Sequence, residues 1–265
     1  MRAAFVEACG CFPTGNHYPG IAHLLRAVQR GLVEEFAADL PWADLPIALV
    51  DVETTGRDAS IDRVVEIGIA VGRHGDVIAR YNWLIHPGVP IPAEAHAVHG
   101  ISDADVKDAP RFEAVAHEIA AALAGCIPAA YNAAFDRAFL MNEFARAAGL
   151  PGAAGQQAAP ASEEPAAAAK PPALRREIEW FDPLVWAREI QREERSKALG
   201  EVAARLGVKL EKAHRASDDA EAALRVLYQL ASDARIPRIH GAFVQEQRRL
   251  AQLHADERRR WKSPS

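Results

Sequence analysis

Cysteine is scarce in this chain. Three occur in 265 residues, Cys9, Cys11 and Cys126. An odd count with no matching second pair at zinc-site spacing excludes a disulfide framework and a structural zinc knot, and ordinary reduced thiols are expected. Long apolar runs are also missing. No stretch approaches the roughly 20 residues that a helix needs to cross a bilayer. The amino-terminal stretch "MRAAFVEACGCFPTG" carries Glu7 where a signal peptide needs uninterrupted hydrophobics, so a cytoplasmic protein is expected. Positive charge is not in excess either: 31 Lys and Arg stand against 36 Asp and Glu, a net charge of −5. That argues against wrapping long nucleic acid by electrostatics alone. It leaves open a grip on a few nucleotides through cations held on carboxylates.

What is present is enough apolar material for a core. Hydrophobic residues make up 49% and charged residues 25%, the profile of one large globular domain or two small ones. Ile21, Leu24, Leu25, Val28, Leu32 and Phe36 recur at helical spacing within an accessory segment, residues 1–45. From Pro46 the period shortens. "PIALVDVE", "DRVVEIGIAVG" and "DVIARYNWLIHP" read as three strands of an antiparallel meander, followed by a loop rich in Pro and His. A helix near 111–124, a strand "CIPAAYN" and a helix from Phe135 to Ala148 come next. Residues 151–173, rich in Ala and Pro, cannot bury enough surface to offset ordering, which predicts a mobile insertion. "IEWFDPLVWARE" reads as a strand passing into a helix, "SKALGEVAARLG" as a helix, and another helix starts near Ser217. A basic helical extension is expected over 233–265, leaving 46–232 as a mixed α/β domain.

The chemistry gathers at three places. In a strand, residues two apart share a face, so Asp51 and Glu53 project together from an apolar run. Two adjacent carboxylates repel each other unless a cation neutralises them, and oxygen ligands favour magnesium or manganese over zinc. Taken alone, such a pair is an ordinary strand-end feature. Asp136 heads a helical stripe continued by Leu140, Phe144 and Ala147, which puts an acid on a buried face. In "HRASDDAEAALRVLYQL", Asp219 runs through Ala223, Val226 or Leu227, and Leu230, so it faces inward. Asp218, in line with Glu221, Arg225 and Gln229, faces water, and His214 precedes the helix by a few residues.

In this order, "DVETTG", "NAAFDRAFL" and "HRASDDA" resemble the three motifs of the DEDDh, or DnaQ-like, 3′-5′ exonucleases, a group that includes the epsilon proofreading subunit of bacterial DNA polymerase III. "VHGIS" is similar to the family's His-Gly-Ile segment between the first two motifs. The resemblance spans about residues 47–230. It implies a ribonuclease H-like α/β fold, a mixed sheet combining an antiparallel meander with parallel strands, flanked by helices. It assigns Asp51, Glu53, Asp136 and Asp219 as ligands of two divalent metals, Mg²⁺ with Mn²⁺ able to substitute, and His214 as general base. It also implies that Thr54, His99 and Phe135 contact the terminal nucleotide. Tyr131 stands where the family commonly has His, and Arg215 excludes the subgroup with a tyrosine there.

The activity implied is release of nucleoside monophosphates from 3′ ends, single-stranded DNA first. An RNA-trimming enzyme of the ribonuclease T or oligoribonuclease type shares the same five groups. A rival of another class is an inactive module that binds nucleic-acid ends or a protein. The terminal extensions, outside the matched region, could serve a protein partner or self-association, and no membrane partner is expected.

Overall fold

The computed structural model describes residues 36–149, 171–210 and 215–262. The helix expected from Ile21 onward, the insertion up to residue 170, Cys9, Cys11 and His214 lie outside the described residues.

The three alternating runs form β1 (Ile47–Thr54), β2 (Val64–Arg73) and β3 (Asp76–Leu84). They pair antiparallel, and His74 and Gly75, both at positive φ, make the tight turn between β2 and β3. β4 (Ile127–Ala130) joins β1 in parallel, giving the order β3-β2-β1-β4. This is the mixed sheet the motifs imply. The strand expected in "IEWFDPLVWARE" shrinks to a single bridge between Phe181 and Ala129. Asp182 there caps α5 (Pro183–Ile190), and Pro183 has no N–H to continue a ladder.

The loop rich in Pro and His is partly helical, with α1 (Ala93–His99) and the short α2 (Asp103–Val106). α3 (Phe112–Leu123) and α4 (Ala133–Ala147) cover one face of the sheet, where Ala48, Val50, Val52, Ile67 and Ile69 meet Phe112, Leu140 and Phe144. α6 (Leu199–Arg205), α7 (Ala216–Leu230) and α5 cover the other, where Ile47, Leu49 and Ala70 meet Trp186, Ala223 and Leu227. β1 is therefore buried on both faces, as expected of a strand with helices on either side.

α8 (His240–Lys262), placed by sequence in an extension beyond 232, contributes Phe243, Val244 and Leu250 to the same core. Its start is clasped by the segment before β1. Trp42 donates its N–H to Arg238 O at 3.0 Å and its indole N–H to Pro237 O at 2.8 Å. His240 and Gly241 donate to Leu40 O and Ala38 O at 2.9 and 2.8 Å. The low-complexity segment also ends sooner than expected: Ala173 and Leu174 are buried against α3 and α4, and Ala173 O accepts the Trp180 indole N–H at 2.9 Å.

Candidate active site

β1 outruns β4. Their pairing stops at Val50 and Ala130, so the last residues of β1 border open space on that side. Asn132, in the left-handed conformation, turns the chain there into α4. Asp136 enters the gap, 3% exposed, and its Oδ1 accepts the Val52 N–H at 3.1 Å. Leu140 and Phe144 continue its face into the core.

On the other side, α7 lies against β2. The residues of β2 facing it are Glu66, Gly68, Ala70 and Gly72, small except for the first. A Cβ on Gly68 would stand 2.1 Å from the carbonyl carbon of Ala216, so only glycine admits the first turn of α7 at that depth. The close approach brings Asp219, 9% exposed, over the end of β1. Ligand oxygens of Asp51, Glu53 and Asp219 all lie within 4.8 Å of one another, the one such group of three among the described residues. Asp136 stands beside this trio. Asp218, expected in water, is half-buried and lines a groove of about 770 Å³ with Arg80 and Glu221.

Burial and mutual repulsion set the electrostatics. The Asp51 carboxyl is pushed well above the ordinary carboxylate range, first by desolvation and then by Asp136, Asp219 and Glu53. Glu53 is raised to about 7 by burial and by Asp219 and Glu66, with Arg215 opposing. Asp136 is raised mainly by burial, against the Val52 hydrogen bond. A cation would cancel these penalties together. All the donors are hard carboxylate oxygens, a set that fits Mg²⁺ or Mn²⁺.

The residues implied for substrate contact differ in what they do. Phe135 is half-exposed, packs on Phe139 with ring centroids 4.8 Å apart, and lines a shallow cavity of about 670 Å³ beside Arg57 and Ser60. Thr54 is buried and its hydroxyl donates to Gly56 O at 2.5 Å, which shapes the turn after β1. His99, also buried, ends α1 before Gly100, and its Nδ1 accepts the Ile101 N–H at 3.0 Å. Tyr131 donates its hydroxyl to Lys197 O at 2.6 Å.

Three carboxylates that sequence reasoning passed over hold this arrangement. Glu143, 1% exposed, takes both Arg63 Nε and Nη2, at 2.8 and 2.9 Å, and Arg146 Nη1 at 3.1 Å. Arg146 also donates to the carbonyls of Ala59 and Ser60, each at 3.0 Å, fixing the loop that walls the Phe135 cavity. Glu66 and Asp182 hold helix starts. The sequence signal for Glu66 was an acid inside the apolar "VVEIGIAVG" run.

A mixed sheet with converging carboxylates at the end of its central strand defines a ribonuclease H-like protein of the nuclease type. Residues 49–227 match the family described as "Exonuclease", and the chain belongs to it, among the DnaQ-like 3′-5′ exonucleases. Similar curated proteins include the PolC-type DNA polymerase III of Streptococcus suis, 29% identical over 231 residues, 84% of this chain but 14% of that protein. Another is the 3′-5′ exonuclease DinG of Staphylococcus saprophyticus, 35% identical over 97 residues, 37% of this chain and 11% of that protein. The chain thus spans a small part of the length of these relatives. Among solved structures, the zinc-bound form of an E. coli exonuclease I complex with single-stranded DNA aligns with TM-score 0.57 at 18% identity, over 72% of this chain and 41% of that one. Exonuclease X in complex with 5′-overhanging duplex DNA aligns with TM-score 0.51 at 21% identity, over 72% and 95%. Both likenesses are of fold. Among the described residues no helix is long and apolar enough to cross a membrane.

Proposed function

We propose that the chain is a metal-dependent 3′-5′ exonuclease that hydrolyses the terminal phosphodiester of single-stranded DNA and releases nucleoside monophosphates. The observation that carries this reading is the carboxylate trio of Asp51, Glu53 and Asp219 within 4.8 Å, with Asp136 alongside. DNA is favoured over RNA because the exonucleases I and X with which the fold aligns were captured on DNA.

Divalent cations held by Asp51, Glu53, Asp136 and Asp219 would supply Lewis-acid polarisation of the phosphate and a more acidic attacking water. The chain's own residues do the rest. Asp51 and Glu53 would give up their protons as cations bind, since a cation's charge offsets both the burial and the mutual repulsion that raise their affinity for protons. Phe135 offers a half-exposed ring beside Asp136 for the terminal sugar or base. Thr54 and His99 border the same nucleotide. His214 takes the proton of the attacking water, a task suited to an imidazole near neutral pH.

The test is a time course with 5′-labelled single-stranded DNA and RNA of one sequence, with Mg²⁺, Mn²⁺ or chelator. A metal-dependent ladder shortening from the 3′ end, faster on DNA, is expected. A faster ladder on RNA would move the enzyme to the RNA-trimming type. No cleavage of either, with Mn²⁺ still bound, would favour the binding module.

A further inference from the structure

We propose that Glu66 and Asp182 are positioning residues for this reaction, each carboxylate fixing the first turn of the helix that carries one site aspartate. The inference rests on the exonuclease reading of the site.

A helix begins with N–H groups that have no partner inside it, so whatever accepts them decides where its first turn sits. At α7 that acceptor comes from the neighbouring strand. Glu66 is wholly buried on β2, directly across from Glu53 in the β1–β2 register. Its Oε2 accepts the Ala216 N–H at 3.1 Å, and its Oε1 accepts Arg215 Nη2 at 2.6 Å and Asn82 Nδ2 at 3.0 Å. Gly68, two residues along, leaves the space into which the Ala216 peptide settles. Asp219 is the fourth residue of the helix so seated.

The same device recurs at α4. Asp182 accepts the Asn132 N–H on Oδ1 at 3.0 Å and the Ala133 N–H on Oδ2 at 3.1 Å, while also capping its own helix through Leu184 N–H at 2.9 Å. Asp136 is again the fourth helical residue. Asp182 is held in turn by α8, because its N–H donates to Gln247 Oε1 at 2.8 Å and Gln247 Nε2 donates to Trp180 O at 2.8 Å.

Two carboxylates from outside the metal-binding trio thus set the positions of two site acids. The arrangement answers a physical problem. Asp51, Glu53, Asp136 and Asp219 repel one another before cations arrive, and the helices that carry the last two must be held against that repulsion. Charged acceptors hold an N–H about twice as strongly as neutral ones. Partners behind metal ligands typically change metal affinity or activity by about 10–100-fold when altered.

The experiment measures Mn²⁺ affinity by electron paramagnetic resonance, alongside kcat and KM on a single-stranded oligonucleotide and Tm, on the full chain. Glu66→Gln and Asp182→Asn preserve shape and remove charge. Leu250→Ala, a core truncation in α8, is the control for lost stability. The expected result is an Mn²⁺ Kd about tenfold or more weaker and a lower kcat in both site variants, with KM unchanged. Leu250→Ala should lower Tm and leave Kd alone. Glu66→Asp, which keeps the charge but draws the carboxylate back from the Ala216 N–H, is the variant to use should Glu66→Gln not fold; it should weaken Mn²⁺ binding likewise. Wild-type Mn²⁺ affinity and kcat in folded Glu66→Gln or Glu66→Asp would overturn the proposal, as would an affinity loss equal to that of Leu250→Ala. Wild-type protein that neither binds Mn²⁺ nor cleaves would instead remove the exonuclease reading on which it rests.

Discussion

Asp51 lies directly across the β1–β2 pair from Gly68. The glycine makes room for α7 at the level of Asp51, and a carboxylate oxygen of Asp219 comes within 4.8 Å of one of Asp51. A methyl group at 68 would meet the Ala216 backbone, not a side chain that could rotate away. Gly68→Ala is expected to cost about 1–3 kcal/mol of stability through overpacking and to displace Asp219. Chemical denaturation and Mn²⁺ titration check both, and unchanged Mn²⁺ affinity would mean that α7 can shift without moving its acid.

Asp51 sits at the centre of the repulsion. Asp51→Ala should abolish hydrolysis while leaving the fold intact. Its metal-free melting temperature should equal or exceed that of wild type, because a half-buried acid crowded by other acids stabilises nothing until a cation binds. Residual turnover near the wild-type rate would remove Asp51 from the metal-binding set.

Acidity should stabilise the metal-free protein through Glu53. Its carboxyl titrates near 4.5 when unfolded and at about 7 when folded. Between those values the folded state holds the proton that the unfolded state has released. Stability from this group is therefore complete below pH 4.5 and falls as pH rises through 7, by about 3 kcal/mol in all. In chelator, Tm should decline more steeply from pH 5 to pH 8 in wild type than in Glu53→Gln. Saturating Mn²⁺ should remove the difference, since the cation replaces the proton. Parallel pH profiles for the two proteins in chelator would contradict the assignment.

His214 is expected to separate binding from chemistry. His214→Ala should keep Mn²⁺ affinity within a factor of about two and lose about 10²–10⁴-fold in kcat, the usual contribution of a general base. A loss that appears only in KM would give His214 a binding role instead.

Glu143 joins α4 to the loop after β1. Removing it leaves Arg63 without its carboxylate partner and Arg146 with carbonyl acceptors alone, two mostly covered guanidinium groups with no countercharge from Glu143. Glu143→Ala should destabilise by about 3 kcal/mol or more. Its KM for oligonucleotide should also rise, because the wall of the Phe135 cavity loosens. A normal Tm would show that the two arginines find other acceptors.

Periodicity carried most of the architecture. The alternation in residues 47–84 gave the meander, and the helical stripe behind Asp219 gave its inward aim, because both depend on which face is buried. The face of β2 was harder to see. Glu66 interrupts an apolar run, and its three donors, Asn82, Arg215 and the Ala216 N–H, come from up to 150 positions away. The strand expected at Trp180 failed because a cap at Asp182 competed successfully for the backbone. Helices α1 and α2 were hidden in a segment where Pro and His argued for a loop. The role of α8 was obscured by its charge, since Phe243, Val244 and Leu250 are few among many Arg, Glu and Gln residues.

The clasp between Trp42 and the start of α8 bears on how the chain is made. Trp42 meets Phe243 with ring centroids 5.0 Å apart, and its N–H reaches Arg238. Among the described residues, the first large buried side chain of the core therefore waits for one of the last. During synthesis the four acids have all left the ribosome before the helix that seals the core behind them. A nascent chain stopped short of Phe243 would expose the apolar face around Trp42 and Phe181, the kind of surface that chaperones hold and proteases find.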